Sequence, residues 1–312
     1  MANTNGKMIT VVGSFVVGLT LRTDHMPIFG ETLIGSDFDM GPGGKGSNQA
    51  VAAARLGVQA HFVGMIGQDS LGKIATDLYA QEGVNTQYLG KSQQMPTGVA
   101  FIILDHAGRN GIILDIAANK LMDEAYVNTA ANQIAQSDMV MTVLEIPSRT
   151  AIHAMKLGRK HGVRTLMNPA PAVKLEDEAF QYIDYLTPNE TELRILQGLA
   201  PDDPTPSVDL AWRLQKQGAK HIILTMGEKG ALILTPEGVT EIAGLHVDVV
   251  DTTGAGDAFT AGLAVGLIEG KSLLEAVRFA NCCGALACTK LGVVPALADR
   301  AAADALYAKN YG

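Results

Sequence analysis

The chain alternates between two hydrophobic rhythms. Runs of consecutive apolar and β-branched residues, the mark of strands buried on both faces, recur at 8–17 (MITVVGSFVV), 60–67 (AHFVGMIG), 138–145 (DMVMTVLE), 164–169 (RTLMNP), 182–188 (YIDYLTP) and 221–227 (HIILTMG). Between them the apolar spacing lengthens to that of helices, at 46–57, 69–83, 147–161, 189–198 and 207–218. Gly57 and Gly83 close the first two of these helices, as glycine does where a helix ends in a left-handed residue. Alternating strands and helices with short connections predict a mostly parallel central sheet covered on both faces, a three-layer α/β/α sandwich.

Two regions depart from that rhythm. Residues 97–115 (TGVAFIILDHAGRNGIILD) read as two strands around a tight, glycine-containing turn, and 29–40 (FGETLIGSDFDM) alternates like an exposed strand. They predict a small antiparallel β-sheet lid, carried on segments near 15–42 and 96–118 within a single domain spanning 1–312. The Pro- and Asp-rich stretch at 199–209 gives way at once to a helical pattern, so it reads as a loop and not a linker.

Composition narrows the function classes. With 312 residues, 47% hydrophobic and 18% charged, the chain is globular. A net charge of −8 without a basic run argues against nucleic acid or an anionic membrane as partner. It leaves a phosphate ligand open, because backbone N–H groups bind phosphate locally. Cys282, Cys283 and Cys288 lack a C-x-x-C spacing, and their odd number favours reduced thiols in a cytoplasmic protein. None of the seven histidines lies in an H-E-x-x-H pattern. The apolar segment after Lys7 has no small-residue cleavage site and is too short to span a bilayer, so it reads as a buried first strand.

Three motifs carry candidate chemistry. GPGGKGSNQA at 41–50 sets Gly41, Gly43 and Gly46 in G-x-G-x-x-G spacing, which as a dinucleotide fingerprint predicts an NAD-dependent dehydrogenase. It does not follow the first buried strand directly, however, and Lys45 precedes Gly46 where a P-loop needs Ser or Thr. Such a helix entrance either lets backbone approach a ligand closely, with Asn48 offering a bidentate amide, or is a structural turn. TPNETE at 187–192 puts Asn189 and Glu192 on one helix face, where the carboxylate orients metal-bound water or the pair forms a capping box. In VVDTTGAGDAF at 249–259, the preceding HVDVV (246–250) reads as a strand, DTTGAGD as a turn and 258–270 as a helix. Strand, glycine turn and helix N-terminus present free N–H groups to an anion. Asp257 at the helix start is either an acid stabilised by the helix dipole, worth about 0.3–1 kcal/mol, or the general base of a phosphoryl transfer whose developing charge those N–H groups hold.

Taken together and in this order, the motifs resemble the ribokinase family of ATP-dependent sugar kinases, of the PfkB carbohydrate-kinase type, essentially end to end. The resemblance is carried by GGKGSNQAVAAARLG (43–57), LMNPAPA (166–172), TPNETE (187–192), LTMGEKGA (224–231) and VDTTGAGDAF (250–259). It implies a ribokinase-like fold, Mg-ATP as phosphoryl donor, a sugar hydroxyl as acceptor and a homodimer formed through the lids. By motif, Asp257 corresponds to the catalytic base and Gly254, Ala255 and Gly256 to the backbone anion hole. Gly44, Lys45, Asn48 and Glu145 match sugar-contacting positions. Asn189 and Glu192 match the phosphate and magnesium-water motif; Thr225, Gly227 and Gly230 match the nucleotide loop, with Asn281 near adenine. Asp251 and Thr253, with backbone oxygens of Ala287, Lys290 and Gly292, match a potassium site, although Ala296 stands where ion-binding members often carry a hydroxyl.

The first strand departs from the family pattern. Ribokinases proper follow the first Gly-Ser with a sugar-binding Asn and Asp, two apart, where GSFVVGLTL has Val16 and Gly18. Losing charge-assisted hydrogen bonds worth roughly 1.5–3 kcal/mol each implies a less hydroxylated or a bulkier acceptor than ribose, unless Thr20, Arg22 or Asp24 compensates. A nucleoside or vitamin-precursor kinase of the same superfamily fits such an apolar floor. A non-catalytic sugar-binding regulatory protein is the rival from another class, opposed by the intact Asp257, Asn189 and Glu192.

Overall fold

The apolar runs become strands because they are covered on both sides, and their alternation divides the core in two. In chain order the strands are β1 (Met8–Val12), β2 (Val16–Thr23), β3 (Ser36–Gly43), β4 (Gln59–Gly67), β5 (Asn85–Ser92), β6 (Gly98–Asp105), β7 (Asn110–Asp115), β8 (Met139–Val143), β9 (Arg164–Asn168), β10 (Tyr185–Leu186), β11 (His221–Thr225), β12 (Gly230–Thr235) and β13 (Gly238–Ala243). The helices are α1 (Lys45–Arg55), α2 (Ser70–Glu82), α3 (Glu124–Thr129), α4 (Ala131–Gln136), α5 (Ser148–Lys160), α6 (Glu190–Leu196), α7 (Ser207–Lys216), α8 (Ala255–Ile268), α9 (Leu273–Ala287), α10 (Val293–Ala296) and α11 (Arg300–Tyr311). This computed structural model describes residues 6–106 and 109–312. The tip of the expected 97–115 hairpin, at 107–108, and the first five residues of the expected domain lie outside them.

Among the described residues the main sheet has nine strands in the order β13-β12-β11-β10-β9-β8-β1-β4-β5. It is parallel from β11 to β5, and β12 and β13 add an antiparallel edge. Successive residues serve opposite faces: Met139 and Met141 join the core beneath α1, α2, α8 and α9, while Val140 joins the core beneath α5 to α7. Helix α8 is buried on every side from Asp257 to Ile268, as a helix apolar all round must be. No helix among the described residues is long and apolar enough to cross a membrane.

A four-stranded sheet, β3-β2-β6-β7, stands apart from the main one. Its outer pairs are antiparallel, as expected, but β2 and β6 join in parallel. All four passages of the chain into this sheet lie in one row, where Val16 pairs with both Gly43 and Gly98, and Val99 pairs with Asp115. Asn119 pins that row, accepting from Phe15 N at 3.1 Å and donating to Phe15 O at 2.8 Å.

Several sequence expectations need correction. The single strand read at 8–17 is two, because the chain leaves the main sheet at Gly13–Phe15 and continues in the other. Of 29–40, only the part from Ser36 pairs as a strand. HVDVV (246–250) is not a strand: its last residue binds the loop after α9, Val250 N donating to Cys288 O at 2.8 Å. The run at 182–188 contributes only Tyr185–Leu186, and β5 and the β12–β13 pair were not anticipated. The G-x-G-x-x-G spacing spans the end of β3 and the start of α1. Since β3 belongs to the small sheet, the βαβ context of a dinucleotide fingerprint is missing.

Candidate active site

Open parallel sheets bind ligands beyond the carboxyl ends of their strands, where the strand order reverses. Here that crevice lies between β1 and β8, since the chain builds outward to β4 and β5 on one side and to β9, β10 and β11 on the other. Ser14 follows β1, and Glu145, expected to end its strand, follows β8 two residues past Val143. The two meet directly, Ser14 Oγ donating to Glu145 Oε2 at 2.5 Å.

The same carboxylate receives the start of α1. Lys45 N donates to Glu145 Oε2 at 2.8 Å, Gly46 N to Ser14 Oγ at 3.4 Å and Ser47 N to Ser14 O at 2.9 Å. The free N–H groups of the first turn are therefore consumed by protein. Gly44 makes the entry; its φ is 91°, and a Cβ there would stand 2.8 Å from Phe15 Cα and from Val16 N.

One turn into α1, two amides reach α8. Asn48 Nδ2 donates to Asp257 Oδ2 at 2.8 Å, and Gln49 Nε2 to Asp257 Oδ1 at 3.1 Å. Asp257 is the third residue of α8 and only 3% exposed. Gln49 also donates to Asn168 Oδ1, at 3.3 Å, at the end of β9. The carbonyl oxygen of Asn48 is buried and has no partner among the described residues.

Helix α8 begins differently from α1. Gly254, at φ 82°, turns the chain into it, and Ala255 N donates back to Thr252 O at 3.2 Å. The N–H groups of Gly256 and Asp257 have no partner among the described residues. Near Asp257 lies a half-buried Lys45, whose Nζ makes no ion pair among the described residues. Burial opposes the Lys45 charge, but Asp257, Glu145 and Glu192 outweigh it and hold the ammonium above its ordinary value. The site thus gathers one lysine, three carboxylates and an open helix N-terminus.

Glu192 stands on α6 in the capping box that the sequence allowed. Asn189 N donates to Glu192 Oε2 and Glu192 N to Asn189 Oδ1, both at 2.8 Å. Burial pushes the Glu192 carboxyl up, against the Asn189 N–H and the Lys45 charge. The capping role and a role in the cleft are compatible, since the box engages one carboxylate oxygen. Thr225, at the end of β11, bridges to Asn189, and Gly227 and Gly230 flank the single turn that follows. Asn281 donates to Ala243 O at 3.3 Å, next to the 242–244 backbone against which Gly230 packs. The nucleotide-loop candidates therefore cluster along β11 to β13.

Asp251 ties two loops together. It accepts from Thr253 N at 2.9 Å, Thr253 Oγ1 at 2.6 Å and Gly292 N at 3.1 Å. Burial raises its carboxyl, but those bonds and the Arg22 charge bring it below its ordinary value. Ala287 ends α9, and Lys290 and Gly292 lie in the loop so attached. Of the residues offered as substitutes in the lid, Asp24 is engaged with His106 at 2.6 Å. Ser14, Gln49 and Asn168 were not singled out in the sequence, although each stands inside a quoted motif.

The chain matches the model of the pfkB family of carbohydrate kinases over residues 7–300. It is 38% identical over 294 residues to a ribokinase of Haemophilus influenzae, covering 94% of this chain and 96% of that one. It is also 38% identical over 252 residues to a deoxyribokinase of Salmonella typhi, covering 80% and 82%. Its fold matches an Arabidopsis thaliana ribokinase solved with ribose and ATP, with a TM-score of 0.88, 31% identity and coverage of 96% and 98%. The protein belongs to the pfkB family of carbohydrate kinases.

Glu145 provides a test of the geometry. Burial raises its carboxyl above the ordinary value despite Lys45 and Ser14, so the folded state holds the proton to higher pH than the unfolded chain. Its contribution to stability is then fullest below about pH 4.3, the unfolded value, and falls as pH rises through the folded value. Glu145→Gln should unfold at a higher urea midpoint than wild type at pH 7, with the advantage vanishing near pH 4, as read by circular dichroism.

Proposed function

We propose that the protein is an ATP-dependent sugar kinase, transferring the γ-phosphate of ATP to a primary hydroxyl of ribose or a related sugar. The observation that carries this reading is the contrast between two helix N-termini in one crevice. That of α1 is filled by Glu145 and Ser14, whereas that of α8 leaves the N–H groups of Gly256 and Asp257 without a partner among the described residues, beside a buried carboxylate. An open N-terminus receives an anion; the carboxylate within it needs a different partner, a hydroxyl.

In this reading Asn48 and Gln49 fix both oxygens of Asp257, which accepts the proton of the attacking hydroxyl. The turn Gly254–Ala255–Gly256 directs its N–H groups at the transferring phosphoryl group, and Lys45 adds positive charge from the opposite side. The unpartnered Asn48 carbonyl and Glu145 bind sugar hydroxyls with Gly44. Asn189, Thr225, Gly227, Gly230 and Asn281 line the nucleotide. A single carboxylate with a free oxygen, Glu192, suits Mg²⁺, which keeps most of its waters and takes the rest of its ligands from substrate phosphates. When bound, Mg²⁺ neutralises charge developing on the phosphates.

The small sheet serves as a lid of a single kinase domain. Its outward face carries Leu21, Met40, Phe101 and Ile113, each 43–72% exposed, which supports pairing of two copies through their lids. Potassium fits the loops that Asp251 joins, where the carboxylate stands beside the backbone of 287–292. Reduced thiols at Cys282, Cys283 and Cys288 agree with a cytoplasmic protein.

Three measurements test these assignments. Asp257→Asn should lower kcat by ~10²–10⁴-fold while ATP affinity by isothermal titration stays within a few-fold; turnover at the wild-type rate would remove Asp257 from the role of base. Phe101→Glu with Ile113→Glu should convert a dimer to a monomer in sedimentation velocity, and a wild type that sediments as a monomer would end the lid-pairing proposal. Replacing Na⁺ by K⁺ should raise the rate of ADP release several-fold, an effect that Asp251→Ala abolishes.

A further inference from the structure

Resting on the kinase reading, we infer that Asn168, at the end of β9, is a positioning residue of the transfer. One arm of its amide holds the candidate base through Gln49, and the other holds the Asn189–Glu192 turn through Thr187. Acceptor side and donor side are thereby set by one buried side chain.

The bonds run in a fixed direction. A carboxylate only accepts, so Gln49 must turn Nε2 toward Asp257, and the same nitrogen donates to Asn168 Oδ1 at 3.3 Å. That orients Asn168 in turn: its oxygen is taken, and Nδ2 donates to Thr187 O at 2.9 Å. Both ends of the run are acceptors, a carboxylate and a backbone carbonyl, and two primary amides join them. Flipping either amide sets oxygen against oxygen at one end.

Thr187 closes the run into a ring. Its hydroxyl lies 3.2 Å from that of Thr260, three residues after Asp257 on α8. The ring therefore passes through α1, β9, the residue after β10 and α8, with Asp257 as a member. Such a closed buried network specifies one arrangement of its parts. From Thr187 the chain leads straight to the donor side. Pro188 O accepts from Thr225 N at 2.9 Å, and Asn189 opens α6 with the Glu192 box.

An Asn168 that served the fold alone would need only to satisfy Thr187 O. Instead its oxygen engages the amide that holds Asp257, and in that orientation Gln49 Oε1 is left buried with no partner among the described residues. An unsatisfied buried acceptor is a cost that packing does not explain and that aiming Nε2 at two acceptors does. Without Asn168, Gln49 loses the acceptor that fixes the plane of its amide, and the orientation of Asp257 loosens with it.

The test is steady-state kinetics by ADP release, over pentoses, deoxypentoses and hexoses for the wild type and with its best acceptor for the variants. Asn168→Ala should lower kcat by about 10- to 100-fold with KM for the sugar within a few-fold, the split expected when orientation and not binding is lost. Gln49→Met should lower kcat comparably, and the double variant by no more than the larger single, because both act on Asp257 through one bond. Asn168→Asp has the same shape and still accepts from Gln49, but it turns an oxygen toward Thr187 O. It should raise KM for ATP by about tenfold with KM for the sugar within a few-fold. Circular dichroism checks that each variant is folded at the assay temperature. A folded Asn168→Ala with the wild-type kcat would make the residue structural and overturn its positioning role, as would losses that multiply in the double variant. If Asn168→Ala does not fold, Asn168→Asp with wild-type constants overturns it equally. Each of those results leaves the kinase reading intact, whereas a wild type that releases no ADP with any of the sugars would overturn that reading and the role of Asn168 with it.

Discussion

Two hydrogen bonds from α1 to α8 hold the site together. Asn48 and Gln49 are neighbours in sequence, and they grip the two oxygens of a carboxylate 209 and 208 residues away. A buried carboxylate without donors costs several kcal/mol, so those amides are required for Asp257 to be where it is. To supply them α1 must start at Gly44, and Gly44 must touch the backbone of Phe15 and Val16. That contact fixes where β1 ends and where the small sheet begins. The clamp on Asp257 thus sets the spacing between helix, helix and lid.

The crevice is expensive to fold. It collects Glu145, Glu192, Asp257 and Lys45 where burial acts against the charge of both glutamates and of the lysine. Ordinary cores avoid such groupings unless charges are matched, and here three acids face one base. The excess makes sense if polyanionic phosphates with their accompanying cations, and a neutral sugar, complete the balance. The stability forgone is recovered elsewhere, in two large apolar cores and an α8 with no exposed face.

Much of this was legible in the sequence. The parallel sheet followed from apolar runs at regular spacing, and the five short motifs whose order resembles one family supplied most of the residues that the fold brings together in the crevice. The failures share a cause: local pattern does not report which sheet a strand joins. MITVVGSFVV is a continuous apolar run, yet its two halves lie in different sheets, because Gly13 and Ser14 give up strand geometry to reach Glu145 and α1. HVDVV has the composition of a strand but pairs with none, and its last residue bonds instead to Cys288 at the end of α9. Ser14, Gln49 and Asn168 escaped notice because a polar residue inside a motif acquires a role only when a distant partner is known.

The row of crossings at Val16, Gly43, Gly98 and Asp115 has a mechanical meaning. Every covalent link between the small sheet and the body passes through that one line, and Asn119 bonds to Phe15 beside it like the pin of a hinge. Turning about the line carries all four strands as one panel, with no ladder bond broken. Because Ser14 is next to the pin and grips Glu145, a swing of the panel would begin at the proposed acceptor site itself. On the proposed reading, a ligand there would lie against the axle of the door, where small displacements become large ones at the outer edge.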